Sequence, residues 1–177
     1  ISGAAALAVD ANDDLFVANE GSNDVAEYTA PISGAPAPAA VIQSNVHAPD
    51  VLSINSSGTV FVGNGGSDNV TVYAGSAPTF TQTGSIPQPA FQMCNDSSGN
   101  LYIADYPDSA VLKYTSFSNS PAPAAAIGLG DHAIGVAIDR AGTIYGLSSS
   151  GMTVSAPPFN SQTSYALTHP SAIAVSP

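Results

Sequence analysis

The stretch Asp96-Ser-Ser-Gly-Asn-Leu-Tyr-Ile-Ala-Asp105 decides the fold, because near-copies of it recur along the chain. It belongs to a longer segment that begins at Gln92, and similar segments begin at Ala6, Val51 and Gly135. A further start is seen in Ala172-Ile-Ala-Val-Ser-Pro177. The anchor residue that opens the turn of each copy returns about every 40 residues, a period typical of propeller blades made of four short strands. The anchors are Asp10, Asn55, Asp96, Asp139 and Ser176.

Each copy can be divided into four strands. An apolar run leads to the anchor, and the turn that follows ends at Gly58, Gly99 or Gly142, where glycine can adopt positive φ. A second apolar strand and an alternating third strand come next. Weak outer strands are expected near Ala39–Ile42, Phe80–Ile86, Ala124–Ile127 and Tyr165–Leu167.

We therefore predict an all-β chain that forms a single β-propeller domain of four-stranded antiparallel blades. The predicted blades span residues 1–48, 49–89, 90–132 and 133–171, and residues 172–177 are predicted to add the first strand of a fifth.

The motif Asp96–Asp105, followed by the alternating Ala110-Val-Leu-Lys-Tyr114, resembles the repeats of NHL-type and YVTN-like β-propeller families. Pro49 and Pro170 stand where such repeats carry a proline. The resemblance implies a propeller fold, which is shared by lyases, lactonases and many non-catalytic binding proteins. Known members usually have more than four blades. Uncovered apolar blade faces are therefore expected here, and they favour a partial or self-associating propeller over a small closed ring.

Charge limits the partners that this chain can bind. Its 177 residues include 2 lysine or arginine residues against 13 aspartate or glutamate residues, giving a net charge of −11. Two cations cannot form the basic surface that binds nucleic acid or an anionic membrane. No apolar run in the sequence is long enough to span a bilayer. We therefore expect self-association or other proteins as partners, with no nucleic acid and no membrane insertion. The low charged fraction of 8% favours a secreted or cell-surface bacterial protein.

The three histidines, His47, His132 and His169, lie in loops that enter the first strand of a blade. Equivalent loops of a propeller converge at one end of the central channel, where imidazoles could bind Zn²⁺ or another divalent ion. Lyases among the propellers that this chain resembles are similar in placing histidine near the axis. The alternative is that each histidine is a polar loop residue copied with the repeat.

Other polar positions also repeat with the blades. Asn19, Asn64 and Asp105 begin loops on one rim, where propellers commonly bind ligands. Asp10-Ala-Asn-Asp-Asp14 has the spacing of a calcium loop, but the same slot holds Asn55-Ser-Ser-Gly58, so a hairpin turn is favoured. Cys94 stands among small residues of the first strands and is interpreted as a packing residue.

These observations predict a non-catalytic extracellular propeller that acts in binding, scaffolding or self-assembly, with fibre formation included, and that needs no cofactor. A metal-dependent lyase or lactonase, with its histidine-lined site at the channel mouth, is the alternative.

Overall fold

The computed structural model describes residues 2–175, which form four antiparallel sheets of four strands each. Within each sheet the strands follow one another in chain order, so every sheet is a meander. Four-stranded meanders of this kind are propeller blades, and the predicted all-β propeller fold is confirmed.

The blades agree with the predicted repeats. Blade 1 consists of strands β1 to β4, at Ala4–Val9, Leu15–Asn19, Asp24–Tyr28 and Ala40–Ile42. Blade 2 consists of β5 to β8, at Pro49–Ile54, Val60–Asn64, Asn69–Ser76 and Thr79–Ile86. Blade 3 consists of β9 to β12, at Gln92–Asn95, Leu101–Asp105, Ala110–Tyr114 and Ala125–Gly128. Blade 4 consists of β13 to β16, at Ala133–Ile138, Ile144–Ser148, Gly151–Ser155 and Thr163–Ala166.

The strand predicted over residues 172–177 is not seen in its described part, because residues 171–175 belong to no strand. Ser176 and Pro177 lie outside the described residues.

The anchor residue of each repeat holds a turn closed. Oδ1 of Asp96 accepts the backbone N–H of Ser98 at 2.9 Å and that of Asn100 at 3.0 Å. Equivalent bonds, to the residues two and four positions later, are made by Asp10, Asn55 and Asp139. Only a short side chain with an acceptor oxygen can make these bonds, which explains why the anchor position holds either Asp or Asn. The interpretation of Asp10–Asp14 as a turn is confirmed.

The chain divides into two compact units. Unit 1 contains blades 1 and 2 together with the segment Phe117–Pro121, and unit 2 contains the remainder of blades 3 and 4. The border between Pro89 and Ala90 coincides with the predicted border between the second and third blades.

The core of unit 1 lies between its two blades. One face of blade 1 carries Phe16, Ala18 and Val25, and it packs on Leu52, Val60, Val62 and Tyr73 of blade 2. Tyr73 is 1% exposed, and its hydroxyl donates to the carbonyl oxygen of Ser44. Small residues of β1, Ala6 and Ala8, pack against the same core, as the alternation of bulky and small residues in the first strands leads one to expect.

The core of unit 2 is built in the same way. Tyr102, Ala104, Val111 and Ile127 of blade 3 pack with Val136 and Ile144 of blade 4. Cys94 packs against this cluster, and burial, followed by the charge of Asp96, raises the pKa of its thiol to about 12. The thiol is therefore almost wholly protonated at neutral pH, and the interpretation of Cys94 as a packing residue is confirmed.

Candidate functional site

The structure places all three predicted histidines in exposed loops. His47 precedes β5 in unit 1, whereas His132 precedes β13 and His169 follows β16 in unit 2. The backbone N–H of His47, in the loop before β5, donates to Oδ1 of Asn64 at the end of β6 at 2.9 Å, so the fold brings two predicted site residues together. Among residues 2–175, no group of three or more His, Cys, Asp or Glu side chains is arranged to hold a metal ion.

His132 belongs to an aromatic stack on the surface of unit 2. Its ring lies 4.2 Å from the ring of Tyr106, with an interplanar angle of 17°. The ring of Tyr106 lies in turn 5.7 Å from that of Phe91. Tyr106 directly follows Asp105, so the loop predicted to form the rim does contact a predicted histidine. The contact is aromatic stacking, which sequence spacing did not indicate.

The predicted rim residues themselves are buried at the ends of second strands. Asn19 is 2% exposed, Asn64 is 2% exposed and Asp105 is 1% exposed. Asn64 Nδ2 donates to the hydroxyl of Thr71 at 3.0 Å and to Oδ1 of Asn69 at 3.1 Å. Burial raises the pKa of Asp105, which also accepts the backbone N–H of Asp108. These side chains hold their own hairpins together, and a role in ligand binding stays a prediction.

The side chains that do reach solvent in unit 1 include aliphatic residues on one face of blade 1. A row of paired residues crosses the sheet from Leu7 on β1, through Val17 and Ala26, to Val41 on β4. The two ends of this row are exposed, Leu7 by 65% and Val41 by 45%, and Val9 on the same face of β1 is 59% exposed. We call this surface the Leu7 face. It is the face opposite to the one that packs on blade 2.

The residues that follow the third strand of each blade explain why the Leu7 face is exposed. In unit 1, Phe80 of blade 2 packs edge-to-face on Phe16 of blade 1, with ring centroids 5.9 Å apart. Phe117, in the corresponding segment of the third repeat, packs in the same way on Phe61, at 4.8 Å. The corresponding segment of blade 1 carries Ile32, which is 46% exposed. On the Leu7 face, therefore, Leu7, Val9 and Val41 remain exposed, whereas Val17 and Ala26 are buried.

Alternation along β1 places Leu7 and Val9 on one bulky face, but the sequence does not show in which blade that face is exposed. The same positions in the second repeat, Leu52 and Ile54, pack against the core of unit 1. The pattern of apolar residues is alike in both copies. Only the neighbouring blade differs.

Comparison with known proteins supports the fold. The sequence matches no family model and no curated protein. Among solved structures, virginiamycin B lyase from Staphylococcus aureus aligns with a TM-score of 0.70 and 9% identity over 96% of this chain and 57% of that chain. The hydrazine synthase of Kuenenia stuttgartiensis aligns with a TM-score of 0.71 and 15% identity over 94% of this chain and 50% of that chain. A chain of the nidogen/laminin complex aligns with a TM-score of 0.70 and 15% identity, over 96% of this chain and 67% of that chain.

This chain thus spans little more than half the length of the two enzymes. At such low identities the likeness shows a β-propeller fold alone, because that fold hosts unrelated functions. Membership of the NHL or YVTN-like families stays a prediction. No helix among the described residues is long and apolar enough to cross a membrane.

Proposed function

We propose that this protein is a non-catalytic, extracellular β-propeller that binds and scaffolds proteins, and that it assembles with copies of itself through the Leu7 face. The observation that carries the proposal is the exposure of Leu7 and Val9, at 65% and 59%, on a strand whose counterpart in blade 2 is packed. Val17 and Ala26, in the middle of this face, are buried, so the exposed apolar surface lies mainly along β1. Exposed neighbouring apolar side chains such as Leu7 and Val9 favour an interaction site. A surface poor in charged residues supports a location outside the cell.

The shape of the Leu7 face favours another blade as its occupant. Blade faces pack through paired rows of aliphatic and aromatic side chains, as blade 1 packs on blade 2 within unit 1. A second copy of the chain can supply Tyr165 of blade 4, which is 50% exposed at the end of the row Leu147, Met152 and Tyr165. Leu147, at the other end of this row, is buried. Such a contact joins two different faces and is heterologous, so it leads to rings or fibres.

Sedimentation velocity at several protein concentrations tests self-association. We expect species heavier than the 17.6 kDa chain, with a fraction that rises with concentration. The double substitution Leu7→Asp and Val9→Asp should shift the protein to monomer, because it places charge in an apolar contact. Phe91→Asp and Tyr106→Asp together serve as the control, since they introduce the same two charges at exposed aromatic positions of unit 2.

Circular dichroism must first show that both double variants keep the strand signal of the parent protein. A parent protein that sediments as a monomer at every concentration contradicts self-association, as does a Leu7/Val9 variant that assembles like its control.

A metal-dependent lyase or lactonase is the second candidate function, and it is favoured by the exposure of all three histidine side chains. Exposed imidazoles are accessible to a metal ion. The main proposal predicts that added Zn²⁺ leaves the melting temperature unchanged. The alternative predicts that Zn²⁺ raises it and that His132→Ala abolishes the increase, because ligands that bind only the folded state stabilise it.

A further inference from the structure

A cavity of about 510 Å³ lies in unit 1, between the first turn of blade 1 and two turns of blade 2. Its wall includes Asp10, Asp14, Phe16 and Glu27 from blade 1 and Ser57 and Phe80 from blade 2. The volume falls within the range of small-molecule sites, and the mixture of carboxylates and aromatic rings gives it a defined chemistry.

Glu27 is the unusual member of this cavity. The residue is only 4% exposed, and its Oε2 has no hydrogen-bond partner. Burial raises the pKa of Glu27, and the nearby carboxylates of Asp14 and Asp10 raise it further. A buried carboxylate oxygen without a donor is unfavourable, so a donor or cation placed next to Oε2 would stabilise the site.

Unit 1 contains no lysine or arginine that could pair with this carboxylate. The two basic residues of the sequence, Lys113 and Arg140, both belong to unit 2.

Blade 3 shows what such a charge does at the equivalent position. Lys113 is paired with Tyr102 across β10 and β11, as Glu27 is paired with Phe16 across β2 and β3. The ammonium nitrogen of Lys113 lies 4.0 Å from the anchor carboxylate of Asp96. It also lies 5.3 Å from the ring centre of Tyr102 and 5.7 Å from that of Phe159, within the range of cation–π contacts.

Unit 1 contains the counterparts of every group that holds this ammonium. The anchor Asp10 corresponds to Asp96, and Phe16 corresponds to Tyr102. Phe80 corresponds to Phe159, because each packs from the next blade near the turn between its third and fourth strands. The strand position that supplies the ammonium in blade 3 holds Glu27 in blade 1, which adds an acceptor and leaves the space open.

We propose that this cavity binds a primary alkylammonium group supplied by another molecule, with Glu27 and Asp10 as the anionic partners and Phe16 and Phe80 as the aromatic walls. The acidic groups of residues 2–175 show no arrangement suited to a metal ion, which favours an organic cation over a divalent one. This binding is separate from the self-association proposed above, because Glu27 lies on the opposite face of blade 1 from Leu7.

Titration of the ¹⁵N-labelled protein with n-butylammonium chloride, followed by amide chemical shifts, tests the proposal. We expect saturable shifts confined to the turn after β1, to β3 and to the residues around Phe80, and no such shifts with the neutral analogue 1-pentanol. Glu27→Gln keeps the size of the side chain and removes its charge, and it should weaken binding at least about tenfold. Glu20→Gln, at an exposed position in the same blade, should bind like the parent protein.

Glu27→Lys is a second and independent variant. It places an ammonium in the cavity as Lys113 does in blade 3, so it should abolish n-butylammonium binding and raise the melting temperature. A trilysine peptide distinguishes the source of the group: tighter binding than n-butylammonium indicates the side chain of a partner protein, and equal binding indicates a free amine. Both outcomes support the cavity as an ammonium site.

The proposal is overturned if n-butylammonium gives scattered, unsaturable shifts, or if Glu27→Gln binds as well as the parent. It is also overturned if Ca²⁺ saturates the same amides while the amine does not. Sedimentation of Glu27→Gln separates this result from the proposed function, because loss of amine binding should leave self-association unchanged.

Discussion

Replacing Gly84 by alanine should destabilise the protein by about 3 kcal/mol, at the upper end of the cost of overpacking a filled interior. Gly84 lies in β8, and a Cβ at this position would meet the carbonyl oxygen of Phe117. The obstacle is backbone, so no side-chain rotation can relieve the clash. The segment Phe117–Pro121 must then move away from blade 2.

Two further contacts depend on that segment. The N–H of Ser120 donates to the carbonyl oxygen of Ser85 at 2.8 Å, and the ring of Phe117 packs on Phe61. Urea denaturation measures the loss of stability. Hydrogen exchange should show faster exchange at Ser120 in the variant.

Gly128→Ala is the matched control for this change. Gly128 also lies in a fourth strand, β12, but nothing lies within 4 Å of a Cβ placed there. The control should change stability by less than about 0.5 kcal/mol. If the two substitutions lower the stability equally, the loss comes from replacing glycine in a fourth strand, and the contact with Phe117 is unimportant.

Replacing Asp96 by alanine should also cost about 3 kcal/mol, because the substitution removes several charge-assisted hydrogen bonds at once. Besides the two turn N–H groups, the carboxylate accepts Nδ2 of Asn100 at 2.8 Å and the hydroxyl of Tyr102 at 3.0 Å. It also lies 4.0 Å from the ammonium of Lys113, which would lose its anionic partner.

Asp96→Asn provides the control, since Asn55 shows that an amide oxygen can close the same turn. It should cost about 1 kcal/mol, because the turn bonds stay and the charge is lost. An asparagine variant as unstable as the alanine variant would mean that the charge matters more than the turn.

The effect of Asp96→Ala should depend on pH. Burial raises the pKa of Asp96, but hydrogen bonds from Asn100, Tyr102 and Ser98 outweigh burial and leave the pKa below its ordinary value. A carboxyl group whose pKa is lower in the folded state stabilises the fold above its unfolded pKa of about 4 and loses that contribution as the pH falls further. Urea denaturation at pH 7 and near pH 3 should therefore show a smaller difference between variant and parent at the lower pH.

Much of the fold could be predicted because its determinants are local. The turn after each first strand needs an acceptor side chain at one position and a residue with positive φ shortly after it, and Gly58, Gly99 and Gly142 have φ values of 78°, 80° and 83°. The boundaries of the outer strands were less accurate, because these strands lie at sheet edges and have one partner each.

The candidate sites were harder to predict because burial depends on neighbours distant in sequence. Asn64 has the polarity of a rim residue, yet the fold encloses it between His47 and Thr71. Glu27 could have been singled out from the sequence, because the equivalent strand position in blade 2 is the buried, apolar Val72. The cavity that Glu27 lines also depends on Phe80, which lies more than a whole blade further along the chain.

The local sequence is sufficient to specify four-stranded blades, because strand alternation and turn chemistry act over a few residues and repeat with the period of a blade. Which faces of those blades are covered depends instead on long-range packing. Leu7 and Leu52 occupy the same place in their repeats, but Leu7 is 65% exposed and Leu52 is 8% exposed. Whether a face is buried depends on the blade that packs against it, and the residues of the repeat do not specify that blade.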